Sequence, residues 1–223
     1  MISIIKSILL FVFPTFIARI LTGSHHSISK SASIGFSWVR VDELIMSENS
    51  RIGNLNIIKG PMKVFIKRKG QIGNRNVVTR AGNGITWGES ILEIGLNSKI
   101  TAEHKIDLCR SVSIGDNSIL AGLKTQIWTH GYAHLKNGNR YRVDGSVSIG
   151  SNVYIGSSCI INGGICISDN ITTGSGSCVS KDLKDPGLYV SAPLRFIEKD
   201  NTHIPNNLIK VNSNLCEAVY VKK

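Results

Sequence analysis

The chain has 223 residues, is 42% hydrophobic but only 6% aromatic, and carries a formal net charge of +11. This length suits one domain with short additions, and the charge favours partners such as phosphates, acidic glycans or an anionic membrane face. The sequence lacks a basic helix, a zinc module and a basic stretch interleaved with aromatics, so we expect no nucleic acid partner. The odd number of five cysteines favours reduced packing residues in a cytoplasmic protein over a disulfide framework.

Residues 1–22 are the most hydrophobic segment of the chain. Their longest uncharged run, Ser7 to Ala18, is short for a bilayer span and contains Pro14. Two interpretations stay open. The segment is either an apolar helix packed on the rest of the protein, or a peripheral anchor with Lys6 and Arg19 near the lipid headgroups. The predicted location is the cytoplasm, with peripheral contact to the inner membrane in the second case.

A six-residue repeat of large apolar side chains begins irregularly between residues 28 and 93 and becomes regular after Ile94. It is displaced by two residues near Cys109, which predicts a local bulge. The repeat then continues from Val147 to Lys181. Three polar residues within the regular part at 94–127 are predicted to point outward: Glu103, His104 and Asp107.

The repeat is clearest at six positions with a constant spacing of six: Ile149, Ile155, Ile161, Ile167, Thr173 and Val179. A period of six is neither that of a helix nor that of a flat strand, but that of a β-helix in which three hexads form one triangular coil. Corners of such a coil often need positive φ, which Gly reaches freely and Asn tolerates. The residues at the corner position fit this requirement: Asn152, Ser158, Gly164, Asn170 and Gly176.

Residues 128–146 have no hexad pattern and interrupt the coil just before its best repeats. This loop contains two histidines, two tyrosines, one tryptophan and two arginines. A loop that leaves a rigid scaffold is where function is usually placed. Imidazole suits the role of a general base at neutral pH.

The sequence resembles the left-handed β-helix acyltransferases in three features. These are the hexads, the His-bearing loop, and the closing segments Val179-Ser180-Lys181-Asp182 and Ala192-Pro193-Leu194-Arg195. Within this family, the pattern is similar to the galactoside, maltose and polysaccharide O-acetyltransferases. The resemblance covers about residues 94–198. It implies an all-β, left-handed parallel β-helix at 28–184 with the loop at 128–146. An N-terminal apolar helical segment at 1–27 and a C-terminal extension at 185–223 complete the predicted domains.

The resemblance also implies a homotrimer with its active sites in clefts between neighbouring coils. Acetyl-CoA is the implied co-substrate, and no metal is expected. The family's catalytic histidine falls on His130 or His134, with His130 preferred because it directly follows a strand end. The implied acetyl-CoA contacts are Tyr154, Ser157, Ser175, Ser180, Lys181 and Arg195. On the acceptor side the chain departs from sugar-binding relatives, and the candidates are Glu103, Asp107, Trp128 and Tyr132.

The function that these residues favour is acetyl transfer from acetyl-CoA to a hydroxyl of a bacterial surface-polysaccharide sugar, in an O-antigen or a capsule. An N-acetyltransferase of an amino-sugar nucleotide is the close alternative. A γ-type carbonic anhydrase shares the coil, and His104, His130 and His134 are the zinc ligands that it would need. A non-catalytic β-helix scaffold is the third alternative, which acetyl-CoA binding would distinguish.

Overall fold

The strands between residues 26 and 189 form a triangular prism of parallel strands. The structure, a computed structural model, describes residues 26–82, 84–136 and 138–191, and the backbone of 208–211 and 219–222. Three parallel sheets of seven, eight and seven strands form the sides of the prism. Each coil contributes one strand to each sheet, so every strand pairs with its equivalent one coil earlier and one coil later. This architecture is a parallel β-helix.

The strands are named in chain order. Face A consists of β1 (His26–Ile28), β4 (Glu43–Met46), β7 (Lys63–Ile66), β10 (Ile91–Ile94), β13 (Val112–Ile114), β18 (Val147–Ile149) and β21 (Cys166–Ile167). Face B consists of β2 (Ser33–Ile34), β5 (Arg51–Ile52), β8 (Gln71–Asn74), β11 (Lys99–Ala102), β14 (Ile119–Leu123), β19 (Tyr154–Ile155), β22 (Ile171–Thr173) and β24 (Gly187–Tyr189). Face C consists of β3 (Trp38–Arg40), β6 (Ile57–Lys59), β9 (Val77–Thr79), β12 (Lys105–Asp107), β15 (Gln126–Ile127), β20 (Ile160–Ile161) and β23 (Cys178–Val179).

The six-residue repeat fills the interior of the prism. One inward side chain from each strand stacks on its equivalent in the next coil, as Ile106, Ile127 and Ile161 do on face C. All six members of the hexad series from Ile149 to Val179 are buried, with at most 5% of their surface exposed. A lumen this narrow holds Ile, Val and Leu more readily than aromatic rings, which accounts for the low aromatic content.

The corners confirm the conformational requirement read from the sequence. The five predicted corner residues, from Asn152 to Gly176, all have φ between 55° and 80°. Asn170 and Ser158 adopt this strained region without a glycine's freedom, at φ of 60° and 57°. Hydrogen bonds along the stacked corners compensate the strain. For example, the N–H of Asn170 donates to the carbonyl of Ser151 at 3.0 Å.

A column of buried polar side chains runs inside the corner between faces B and C, the B–C corner. Each member bonds the backbone of the next coil. The N–H of Asn76 donates to Asn56 Oδ1 at 2.9 Å, the N–H of His104 to Asn76 Oδ1 at 2.9 Å, and the N–H of Thr125 to His104 Nδ1 at 3.1 Å. These bonds fix the register between coils, because a one-residue slip would leave buried amides without partners.

His104 is therefore an interior residue, and the expectation that it points outward is wrong. Its side chain is 1% exposed, and Thr101 Oγ1 lies 2.9 Å from its second ring nitrogen. Burial lowers the pKa of His104 to about 4, and hydrogen bonds to the backbone of Leu120 and Thr125 oppose the shift only in part. The six-residue repeat does not identify this position, because His104 lies at a corner between strands β11 and β12 and not in a strand.

We expect acid to destabilise the fold through His104. The unfolded chain takes up a proton near pH 6.5, while the folded state does so only near pH 4. Stability is therefore full above pH 6.5 and falls as the pH falls toward 4, by about 2 kcal/mol at pH 5. Urea denaturation at pH 7 and pH 5, at one protein concentration, measures this loss. His104→Asn, which repeats the residue found at Asn56 and Asn76, is the control, and an unchanged pH dependence in that variant would contradict the assignment.

Two insertions leave the prism at the corner between faces C and A, the C–A corner. One is the loop between β9 and β10, the β9–β10 loop. The other is an antiparallel hairpin of β16 (His130–His134) and β17 (Arg140–Asp144) between β15 and β18. The predicted loop at 128–146 is therefore present as an ordered hairpin. The sequence analysis gave no such role to the β9–β10 loop.

The remaining parts of the chain are described separately. Residues 208–211 and 219–222 form β25 (Leu208–Val211) and β26 (Val219–Lys222), a two-stranded antiparallel sheet in a second compact unit. The predicted N-terminal helix lies at residues outside the described part. The domain boundaries at 27/28 and 184/185 stay predictions. Across the residues that the structure describes, no helix has the length and apolar character needed to cross a membrane.

The cysteines divide into two pairs among the described residues. Cys109 and Cys159 are buried free thiols, whereas Cys166 and Cys178 are exposed on the outer surfaces of faces A and C. The expectation that the repeat cysteines all pack in the lumen holds for Cys159 and is wrong for the other two. Their outward positions follow from the two-residue alternation of a strand.

Candidate active site

The hairpin brings His130 to the C–A corner. Strand β15 ends at Ile127, and β16 begins three residues later at His130. The hairpin register pairs His130 with Asp144 and Tyr132 with Arg142. Its return strand ends at Asp144, and the N–H of the next residue, Gly145, donates to the carbonyl of Thr129 at 2.9 Å. This bond closes the base of the hairpin, so the rigid coil determines where His130 lies.

Asp107 holds the imidazole of His130. The ring nitrogen Nδ1 of His130 lies 2.9 Å from Asp107 Oδ2. The same carboxylate oxygen accepts the N–H of Thr129 at 3.1 Å and the hydroxyl of Thr129 at 2.6 Å. The other oxygen, Oδ1, accepts the thiol of Cys109 at 3.1 Å. Asp107 is 8% exposed, so its carboxylate accepts hydrogen bonds from protein groups and has little contact with solvent.

The environment keeps Asp107 ionised. Burial by itself raises the pKa of this carboxyl, but the hydrogen bonds from Thr129, His130 and Cys109 outweigh it, and the pKa lies below its ordinary value. An ionised carboxylate can only accept hydrogen bonds, so Nδ1 of His130 carries a proton. In the neutral ring, the Nε2 atom is then unprotonated and available as a base.

Cys109 and Arg142 complete this network. Burial raises the pKa of the Cys109 thiol, and the neighbouring Asp107 raises it further. A thiol in this state is a poor nucleophile. Arg142 donates through Nε to Asp144, which raises the pKa of the guanidinium. Its Nη1 also donates to the carbonyl of Ile85 at 3.0 Å, so the hairpin is tied to the β9–β10 loop.

The cluster of Asp107, Cys109 and His130 has the residue types of a metal site, with ligand atoms within 4.8 Å of one another. Two observations argue for a hydrogen-bonded dyad. Cys109 and His130 both already hydrogen-bond Asp107, and the guanidinium of Arg142 is a positive group that acts to lower the pKa of the Cys109 thiol. A cation at the same point would have to displace these bonds.

The zinc ligands of the carbonic anhydrase alternative do not converge within one chain. Both ring nitrogens of His104 bond groups of the coil. His134 is the last residue of β16, so its Cα lies about 13 Å from that of His130, given about 3.4 Å per residue along an antiparallel strand. Only His130 lies beside a carboxylate and a cavity.

A cavity of about 400 Å³ opens beside His130. Its walls include Trp128, Tyr132 and Val143, and its floor is the coil corner at Gly163 and Gly164. A side chain at Gly163 would come within 3.2 Å of the carbonyl oxygens of Trp128 and Thr129. Gly164 has a φ of 80°. The pair therefore lets the corner approach the base of the hairpin.

The candidate acetyl-CoA residues lie on two different corners. Ser180 and Lys181 line a second cavity, of about 300 Å³, which follows β23 at the C–A end of face C. Tyr154 begins β19 on face B, and Ser157 and Ser175 stack at the B–C corner, where the N–H of Ser157 donates to Ser175 Oγ at 3.2 Å. A single chain therefore does not bring all of these residues to His130. Arg195 lies outside the described residues.

The four acceptor candidates also separate. Trp128 and Tyr132 line the cavity with His130. Lys105 Nζ lies 4.8 Å from the centre of the Trp128 ring. Glu103 is at the B–C corner, with a φ of 57°, and pairs with Arg75 at 2.7 Å. Asp107 does not line the cavity, and it is buried against Thr129 and His130 and not displayed to solvent. The sequence analysis missed Thr129, Cys109, Arg142 and Asp144, for which the hexad pattern contains no signal.

Comparisons with known proteins agree with this fold. No protein-family model matches the chain. Over 94 residues the chain is 37% identical to the galactoside O-acetyltransferase of Escherichia coli (strain K12), an alignment that covers 41% of this chain and 45% of that enzyme. The chain thus spans about half the length of this curated relative. This similarity confirms the predicted resemblance to the left-handed β-helix acyltransferases.

Two solved structures are similar to this chain to different degrees. The polysialic acid O-acetyltransferase OatWY is 21% identical, with a TM-score of 0.54, over 89% of this chain and 84% of that chain. A hexapeptide-repeat acetyltransferase of Vibrio cholerae O1 biovar eltor, solved with acetyl coenzyme A, is 16% identical, with a TM-score of 0.41, over 89% and 86%. The likeness to the first confirms the predicted all-β class and left-handed β-helix.

Proposed function

We propose that the protein is an acetyl-CoA-dependent O-acetyltransferase that acts on a hydroxyl of a bacterial surface-polysaccharide sugar, in an O-antigen or a capsule. The observation that carries this proposal is the Asp107–His130 pair, whose Nε2 atom is free to act as a base beside the Trp128 cavity. Two relatives support the choice of acceptor, since their names specify a galactoside and polysialic acid.

In the proposed reaction, Nε2 of His130 takes the proton of the acceptor hydroxyl as its oxygen attacks the thioester carbonyl. The new carbon–oxygen bond forms, the carbon–sulfur bond breaks, and the imidazolium returns the proton to the departing thiolate. Asp107 stabilises the imidazolium and keeps the ring oriented. Gly163 and Gly164 line the cavity, and their backbone N–H groups donate no hydrogen bond within the described residues. We assign them to the oxyanion of the intermediate.

A homotrimer accounts for the separation of the acetyl-CoA candidates. In a trimer, the C–A corner of one protomer can meet the B–C corner of its partner. Tyr154, Ser157 and Ser175 of one chain would then complete the cleft that contains His130 of another. Light scattering tests this point, and a stable monomer that still turns over acetyl-CoA would contradict the shared site. The peripheral membrane contact of residues 1–22 also stays a prediction.

We expect Lys181→Ala to raise the KM for acetyl-CoA about three- to tenfold, the effect of one exposed charge contact, and to change kcat little. Lys181 is exposed, and in this proposal it contacts coenzyme A far from the thioester, so it stabilises ground and transition states equally. Steady-state kinetics measure both constants. Lys184→Ala is the matched control, because Lys184 is exposed nearby but does not line the same cavity. A loss confined to kcat would give Lys181 a different role.

The test of the function is acetyl transfer to the host's surface polysaccharide, followed by mass spectrometry with and without the gene. An O-acetyl ester is removed by mild alkali, whereas an N-acetyl amide is not, so the same sample separates an O-transferase from an N-transferase. Absence of any acetyl difference in the polysaccharide would overturn the proposal.

A further inference from the structure

The β9–β10 loop is bound to the catalytic corner at two points. Arg142 of the hairpin donates to the carbonyl of Ile85 at 3.0 Å, and Arg110 Nη1 donates to the carbonyl of Trp87 at 3.3 Å. The backbone N–H of Arg110 also donates to Thr129 Oγ1 at 3.0 Å. Thr129 bonds the carboxylate of Asp107, so one arginine on each side connects this loop to the residues that hold His130.

The loop presents two large apolar side chains to solvent. Trp87 is 64% exposed and Ile85 is 66% exposed. Single exposed apolar residues are normal on protein surfaces, whereas adjacent ones beside a catalytic corner indicate a binding site. An indole ring offers a wide flat surface at a low cost in conformational entropy, which suits the apolar face of a sugar ring.

Arg110 gives this surface a charge. Its guanidinium lies 4.1 Å from the centre of the Trp87 ring, a distance at which the two groups form a cation–π interaction. Only one of its five N–H donors has a protein acceptor in the described part of the chain. Glu89, the acidic residue of the loop, is paired with Lys63. The remaining donors of Arg110 are therefore available to a carboxylate or another anion.

A cationic cavity continues the surface along the same corner. It has a volume of about 360 Å³, and Arg40, Lys59 and Arg80 line it with a single acidic residue, Asp42. Gly82 of the β9–β10 loop also lines it. The corner passes three coils between Gly60 and His130, or roughly 14 Å at the spacing of paired strands. A ligand that used both ends would have to be a chain of several sugars.

We propose that Trp87 and Arg110 form a second acceptor subsite, and that the acceptor is an acidic oligosaccharide or polysaccharide which continues past His130 toward Arg40 and Lys59. This inference rests on the proposed function, because the ligand is an acceptor only if the protein transfers an acetyl group. Its binding chemistry depends only on the aromatic ring, the guanidinium and the cationic cavity. A single neutral sugar would leave all three unused.

The test is calorimetric titration of the full chain with sugar monomers and tetramers. Sialic acid and galacturonic acid provide two chemically different acidic series, and maltose and maltotetraose provide a neutral one. We expect the tetramer of at least one acidic series to bind about tenfold more tightly than its monomer, as one aromatic contact with a charge-assisted bond allows. The neutral series should show no comparable gain.

Trp87→Ala should abolish the gain with chain length, Trp87→Phe should retain most of it, and Arg110→Gln should remove the preference for the acidic series. Leu188→Ala, which removes an exposed apolar side chain on strand β24 of face B, is the matched control and should change nothing. The inference is wrong if no acidic series gains with length, if Trp87→Ala keeps the gain, or if Trp87→Ala dissociates the oligomer, because a second copy would then cover the ring. Binding with intact length dependence but no acetyl transfer would count against the proposed function alone.

Discussion

Replacing His130 by alanine is expected to lower kcat by about 10²–10⁴-fold, the usual contribution of a positioned general base. The side chain is outside the packed lumen and about one quarter exposed, so the change should leave the fold and acetyl-CoA binding intact. Turnover assays with thiol detection, together with calorimetric titration of acetyl-CoA, separate the two effects.

His134→Ala is the control for this prediction. His134 is in the same strand four residues further on, and it does not line the cavity of His130. It should retain nearly full activity. If His134→Ala abolished turnover and His130→Ala did not, the base would be the other histidine. If neither substitution lowered turnover, the general-base mechanism would be wrong, and a non-catalytic scaffold would be favoured.

Asp107→Asn is expected to lower kcat roughly 10²–10³-fold, between the effect of a typical supporting residue and that of a triad aspartate. The carboxylate accepts the proton of His130 Nδ1 and thereby keeps Nε2 unprotonated. An amide at this position can donate to Nδ1 and favour the opposite tautomer, which leaves no base toward the acceptor. The loss should appear in kcat, with the KM for acetyl-CoA nearly unchanged, and steady-state kinetics test this split.

The matched control is Asp169→Asn. The carboxylate of Asp169 accepts the N–H of Ser151 at 2.7 Å at a coil corner, away from the His130 cavity. This variant measures the effect of removing a carboxylate charge that hydrogen-bonds the backbone of a neighbouring coil. Comparison of melting temperatures guards against a purely structural loss in the Asp107 variant, because three donors converge on its Oδ2 atom. Full activity of Asp107→Asn with an unchanged pH profile would show that His130 needs no such partner.

The six-residue repeat was enough to predict the prism. A period of six assigns each large apolar side chain to the lumen, and the members from Ile149 to Val179 are all buried. The corner residues were predictable for the same local reason, since a turn that requires positive φ restricts the residue type. The interruption at 128–146 was also a local signal, and it contains His130. All these features depend on residues close together along the chain.

The partners of His130 depend on contacts between coils. Asp107 and His130 are 23 residues apart and meet because strands β12 and β15 stack in register on face C. A sequence cannot show which polar residue of one coil lies beside which residue of the next when insertions of different length separate them. The stacking of coils likewise places His104 in the column of polar residues at the B–C corner, where Asn56 and Asn76 precede it.

The sequence by itself determined the β-helix, its corners and the loop that contains the candidate base, because each follows from the local conformational and hydrophobic requirements of a hexad. Only the tertiary structure decided that Asp107 orients His130, that Tyr154 and Ser157 lie on a different corner, and that the loop of Trp87 lies against the hairpin that contains His130. These are matters of stacking between coils, where the number of residues in each insertion sets which side chains meet.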